Sequence, residues 1–376
     1  MKLLFFFIIG VLLMACTSTN ISYETEKPDA VLNQAPFSRG VNFSQWFEGP
    51  NAQAIQFNRY IEQDFINVKS MGADVIRLPI TMHSMTGGVP EYVLDPLLLK
   101  FLDTAVGWAE KHQLYIIIDN HSFDPVAPTA ENIDGILLKV WAQIAEHYKN
   151  RSKYVIYEIL NEPHGISDKQ WGEIQGMAID TIRKIDTTHA IIVGGTDYNS
   201  ISKLSSIPKY SDPNLIYTFH FYDPYLFTHQ GATWGEPSLA SLAGVPFPAG
   251  GRRIPRTPGD LKGTWVEYAI KNYKNDAAFS TLAASLDKTV AFSRERNAPV
   301  FCGEFGVYMI QSPAKDRVNW YKFVTGALER RNIARTSWDY YGGFGIFNSP
   351  AGGDFRSDVN IDVVRAMGFF HPQQRK

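Results

Sequence analysis

Cysteine is nearly absent from this chain: 376 residues carry two, Cys16 and Cys302. If Cys16 is consumed by processing of a leader, Cys302 has no partner, which excludes a disulfide scaffold. An excess of charge of one sign is absent too, with 36 Lys+Arg against 38 Asp+Glu and a formal net charge of −2. A nucleic-acid binder would show a basic stripe, so no nucleic-acid partner is expected. Long hydrophobic runs are confined to Leu3–Met14, too short for a spanning helix. The chain also lacks internal repeats, a Gly-rich phosphate loop after its first strand, a His-Glu-x-x-His pair and paired cysteines. These absences argue against a dinucleotide fold and against a close-spaced metal site. Aromatic residues, by contrast, are plentiful at 13%, including eight Trp and 18 Tyr. They fill large cores and also form surfaces on which flat apolar ligand faces stack.

The amino terminus reads as a targeting segment. Lys2, the apolar run and Ala15-Cys16 fit a signal peptide, and Leu13-Met14-Ala15-Cys16 looks like a bacterial lipobox. Residues 1–16 are therefore expected to be a lipoprotein signal ending at Cys16, the site of lipid attachment. Residues 17–35 are polar without periodicity and read as a tether; residues 36–376 form one domain. The protein is expected to be exported, either secreted or held by its lipid at the outer membrane or cell surface, with no other membrane contact.

From Phe37 onward, eight strand patterns recur in alternation with helix patterns. The strands are expected at 37–43, 75–80, 114–119, 154–162, 190–195, 215–222, 299–306 and 336–339. Helices are expected at 58–71, 95–112, 130–149, 168–185, 279–296, 314–331 and 358–369. Apolar strands alternating with helices predict a parallel sheet covered by helices, and eight repeats predict a closed (β/α)8 TIM barrel of α/β class. An open doubly wound sheet is the alternative. The sixth strand is followed by a long irregular span, 223–274, whose length suggests function.

The centre of the pattern is Tyr154–His164. An aromatic and β-branched strand runs into Asn161-Glu162 and is stopped by Pro163. Other strands also end in polar chemistry: Arg77, His121, His220 with Tyr222, Glu304, and Trp338. In a barrel these ends share one mouth, where such enzymes place their reacting groups. Taken singly each has a plain structural explanation, Arg77 for instance as an ion-pair partner of Glu158. Together they set two glutamates, Glu162 and Glu304, across the mouth. Paired carboxylates in unequal environments are what glycoside hydrolysis requires. Arg77, Asn161 and Tyr222 are placed to keep Glu304 ionised, and His220 to orient Glu162.

The segments Ile76-Arg77-Leu78-Pro79, Asn161-Glu162-Pro163-His164, His220-Phe221-Tyr222, Gly303-Glu304-Phe305-Gly306 and Trp338 occur in order at barrel spacing. With them, the chain from Phe37 to Phe369 resembles glycoside hydrolase family 5, the cellulase family. The resemblance implies Glu162 as acid/base and Glu304 as nucleophile. It implies Arg77, His121, Asn161, His220, Tyr222 and Trp338 as further active-site positions, and no cofactor. The run Phe227–Trp234, with His229, looks like a loop of compact bacterial endoglucanases of that family. Departures are Ser44-Gln45 followed by Trp46 after the first strand, His121-Ser122 after the third, and Asp339 on the eighth. These positions would line the sugar sites, so Gln45, Trp46, His229 and Trp234 are candidate substrate contacts. Trp46, Trp234, Trp338 and Phe344 are candidate stacking platforms, whereas Trp108, Trp141 and Trp171 lie on helices and are expected to pack. The expected activity is that of a monomeric retaining endo-β-1,4-glucanase acting on β-linked polysaccharide. Mannan, xyloglucan and mixed-linkage glucan are alternative substrates. A non-catalytic glycan-binding barrel is the alternative of another class.

Overall fold

The structure, a computed structural model, describes residues 29–31 and 33–370. The expected signal segment, Cys16 and most of the expected tether lie outside the described residues. Eight parallel strands close into one barrel, in sequence order, with the first pairing to the eighth. They are β1 (Arg39–Asn42), β2 (Val75–Ile80), β3 (Tyr115–Asn120), β4 (Val155–Glu158), β5 (Ile191–Gly194), β6 (Leu215–Phe221), β7 (Val300–Phe305) and β8 (Ala334–Ser337). The helices are α1 (Glu62–Ser70), α2 (Pro96–Lys111), α3 (Asp134–Tyr148), α4 (Asp168–Arg183), α5 (Thr196–Asn199), α6 (Tyr225–Thr228), α7 (Trp265–Asp276), α8 (Phe279–Arg296), α9 (Ala314–Arg330) and α10 (Ile361–Ala366).

Local chemistry explains the punctuation. Asp95 caps α2 by accepting from the Leu97 amide at 2.8 Å, with Pro96 at the first helical position. Trp141 of α3 and Trp171 of α4 are buried, and each indole donates to a backbone carbonyl at 2.9 Å, those of Ile159 and Gly194. The helix tryptophans therefore fix the upper ends of β4 and β5 rather than meeting ligand.

The barrel axis is layered. Its lower end is closed by Val75, Ile117, Ile156, Ile192, Ile216, Phe301 and Ala334, one from each of β2 to β8, with Phe37 from before β1. Because side chains repeat every two residues along a strand, Arg77, Asp119 and Glu158 form the next layer, all buried. His121 and Glu162 stand above them, past the ends of β3 and β4. Strand β7 departs from this parity. Phe219 pairs with Cys302, but His220 pairs with Glu304, so Gly303 is an extra residue, a bulge. A Cβ at Gly303 would lie 2.7 Å from Thr218 Oγ1, so only glycine fits. The bulge turns Glu304 inward where strict alternation would have aimed Gly303.

Two expectations need correction. Residues 223–274 are not wholly irregular, because they contain α6 and most of α7. Thr264 caps α7 by accepting from the Val266 amide, and Val266 and Tyr273, seven residues apart, face the core. The tether also ends earlier than position 35. Val31 is buried and donates its amide to Arg331 O at 3.0 Å, and Arg294 pairs with Asp29 at 2.7 Å.

Candidate active site

Arg77 is the hub. Its Nε and Nη2 donate to the two oxygens of Glu158 at 2.7 and 3.0 Å. Nη1 donates to Glu304 Oε1 at 2.7 Å and to Asn42 Oδ1 at 3.0 Å. Nη2 also donates to Asn161 Oδ1 at 2.8 Å and lies 3.0 Å from Asp119 Oδ2. One guanidinium thus faces three buried carboxylates, and a second cation is needed. His121 supplies it, with Nδ1 2.7 Å from Asp119 Oδ2. Burial alone would lower the imidazole pKa, but Asp119, with Glu48 and Glu304, raises it to about 9.

Glu304 is buried, and both oxygens have donors: Arg77 on Oε1, and the Tyr222 hydroxyl on Oε2 at 2.8 Å. Charge-assisted bonds of this kind fix the carboxylate in place. Glu162 stands in a different environment. Burial pushes its carboxyl up to about 7, against the pull of His121 and Arg77. Its Oε1 lies 2.6 Å from His220 Nδ1. Burial pushes His220 down to about 4 despite the nearby Glu304, so the ring is neutral at pH 7. Glu162 itself sits at φ +46°, a conformation that side-chain-bearing residues rarely adopt. The backbone turns sharply there, before Pro163, and His164 Nδ1 lies 2.9 Å from the Glu162 carbonyl oxygen. Ligating atoms of Glu162, His220 and Glu304 all fall within 4.8 Å of one another.

The structure gathers Arg77, His121, Asn161, Glu162, His220, Tyr222, Glu304 and Trp338 around one mouth. The Trp338 ring is half-buried and stacks on His121, with centroids 5.6 Å apart and planes 12° apart. Asn161 reaches Arg77 rather than Glu304, so its link to that carboxylate is indirect. Trp46 is a correction. It is 2% exposed, stacks on Trp108 at 6.4 Å and donates its indole N–H to Phe57 O at 3.1 Å. An apolar ring with its polar tip satisfied inside belongs to the core and offers no face to sugar. Phe344 is likewise buried, under Tyr222, His229, Trp234 and Tyr308. Asp339 is buried beneath the mouth, where its Oδ2 accepts from Ser44 Oγ at 2.6 Å and burial raises it to about 7. Gln45 is exposed, and its Oε1 accepts from Arg59 at 3.0 Å. His229 is buried against Tyr222 and Tyr225, whereas Trp234 is 39% exposed.

Sequence reasoning missed Asp119 and Glu48. Asp119 sits two residues before His121, on the same face of the strand, and that spacing was the available signal. Glu48 Oε1 lies 3.9 Å from His121 Nε2, reached through the turn after β1, which no periodicity marks.

Chemically, one carboxylate with a donor on each oxygen and one carboxyl pushed up to about 7 face the same small space. Carboxyl groups about 5–5.5 Å apart suit double displacement, and wider ones leave room for an inverting water. The lone pairs of Glu304 are directed at Arg77 and Tyr222 and that of Glu162 at His220, which does not resemble a free metal-ligand set.

Residues 34–343 match the family Cellulase (glycosyl hydrolase family 5). Endoglucanase 3 of Fibrobacter succinogenes is 28% identical over 335 residues, which cover 83% of this chain and 50% of that protein. Endoglucanase C of Acetivibrio thermocellus is 26% identical over 81% of this chain and 91% of its own length. The chain therefore spans half the length of the first relative and nearly all of the second. Among solved structures, endoglucanase Cel5A of Thermotoga maritima is similar at 28% identity and TM-score 0.71, covering 88% of this chain and 96% of that one. A structure of Cel5A from the same organism with mannotriose is similar at 26% identity and TM-score 0.72, covering 88% and 97%.

Proposed function

Since the chain belongs to the cellulase family, glycosyl hydrolase family 5, we propose that it is a retaining endo-β-1,4-glucanase. The observation that carries this reading is the carboxyl pair: Glu162 and Glu304 within 4.8 Å, one pushed up to about 7 and the other held by Arg77 and Tyr222. Glu304 attacks the anomeric carbon as the glycosidic C–O bond breaks, and Glu162 passes its proton to the departing oxygen. Glu162, now ionised, takes a proton from water, which attacks the glycosyl-enzyme and releases Glu304 with overall retention. The cations Arg77 and His121 offset the buried anions throughout. Trp338 on the mouth and Trp234 on the loop supply stacking faces for sugar rings.

The curated relatives named above are endoglucanases, which supports glucan as substrate. The mannotriose complex of the similar Thermotoga protein gives mannan a place beside it in the substrate panel. A purely glycan-binding barrel is disfavoured by the unequal carboxyl pair. On the lipobox at Leu13–Cys16 we further propose that the protein is exported and anchored by lipid at Cys16.

The test is Glu304→Ala. Hydrolysis of soluble β-1,4-glucan should fall by several orders of magnitude. Azide should restore turnover of an activated aryl glycoside and yield the inverted glycosyl azide. Retained activity, or an inverted product from the parent enzyme, would refute the assignment.

A further inference from the structure

The loop after β6 and helices α7 and α8 enclose a groove of about 690 Å³ outside the carboxyl pair, within the roughly 300–1,000 Å³ of small-ligand sites. Trp265 and Tyr225 line it and are 44% and 40% exposed. Tyr268, three residues beyond Trp265 and so on the neighbouring strip of the helix, is 73% exposed. Exposed single apolar residues are ordinary, but aromatic rings gathered at a groove call for a ligand. The groove lies beside the catalytic mouth, joined to it by packed rings. Tyr225 stacks on His229 at 3.9 Å and 12°, and meets Trp265 edge-on at 5.9 Å. His229 in turn packs at 5.0 Å on Tyr222, whose hydroxyl donates to Glu304. Two carboxylates, Asp223 and Asp276, line the same groove.

We propose that this groove is a distal subsite holding a β-linked glycan that runs on from the catalytic mouth. Trp265 and Tyr225 are its stacking faces, and Asp223 and Asp276 accept hydrogen bonds from sugar hydroxyls. Pyranose rings present C–H faces and hydroxyl edges, and this pairing of flat rings with acceptors matches both. The inference rests on the glycan-cleaving reading above and extends it.

The experiment uses the full chain and Trp265→Ala, with Trp265→Phe as its partner. The readout is the ratio of kcat/KM on a long soluble β-1,4-glucan to that on an aryl cellobioside. Trp265→Ala should lower the ratio about three- to tenfold, and Trp265→Phe should recover most of it. Retardation in native gels containing the glucan, measured in a Glu304→Gln background, should weaken in parallel. An unchanged ratio and unchanged retardation overturn the subsite. So does an equal loss on both substrates with a lowered Tm, or a change of oligomeric state with the ratio unaltered, which would give this face to a second copy. A parent chain that neither cleaves nor is retarded by the glucan overturns the glycan reading itself. A parent that does both, with a variant that behaves identically, overturns the subsite alone.

Discussion

Glu162 shows how much one side chain owes to its surroundings. A solvated glutamate titrates near 4.3, but burial moves this one to about 7. The sign of the consequence follows. The first chemical step needs the proton in place, so kcat/KM should fall as pH rises through about 7. Glu162→Gln should erase that fall. It should also cost about 10²–10⁴ in kcat/KM on an unactivated glycan, and far less on an aryl glycoside whose leaving group needs no proton. A pH profile of the variant that keeps its alkaline decline would assign the titration to another group. Sequence pattern singled out the two glutamates because each ends an apolar strand. It did not reveal Asp119, which fixes His121 from inside the strand, nor that Asn161 serves Arg77 instead of Glu304. Those depend on which way side chains meet across the axis.

At the scale of elements, the repeats of strand and helix were legible because buried parallel strands are continuously apolar and helices carry caps such as Asp95. Two features were not. Helix α7 hides in a Gly- and Pro-rich stretch, and its short amphipathic pattern shows only once Thr264 is recognised as its cap. The bulge at Gly303 breaks the two-residue period, so alternation alone would have turned Glu304 away from the mouth. The turn after β1 misled in another way. Its Trp46 follows a departure from the family pattern and invites a ligand role, yet the ring is buried against Phe47, Tyr60 and Trp108. Trp46→Ala should therefore lower unfolding free energy by about 3–5 kcal/mol, measured by urea denaturation. KM at low temperature should stay near the parent value. A raised KM with unchanged stability would return Trp46 to the substrate.

At the scale of the whole molecule, no helix among the described residues is long and apolar enough to cross a membrane. The proposed attachment is through Cys16. One acyl chain binds membranes only marginally, so durable attachment requires a multiply acylated cysteine. Cys16→Ser should move the protein from the membrane fraction to the soluble fraction on centrifugation, with activity per molecule retained. Persistence in the membrane fraction would end the lipoprotein proposal.

One feature of the fold bears on how the chain can be handled. The ring of residues closing the lower end of the barrel has eight members, and the one opposite Phe301, at 5.1 Å edge-on, is Phe37, which precedes the first strand. The barrel is therefore corked by a residue outside its own repeat. Any shortened form cut at β1 would leave that end open to water, directly beneath the layer of Arg77, Asp119 and Glu158. Buried charges that rely on a dry neighbourhood would then be hydrated from behind. A safe limit for trimming this protein lies upstream not only of Phe37 but also of Asp29, so that the buried Val31 and the Asp29–Arg294 pair are kept.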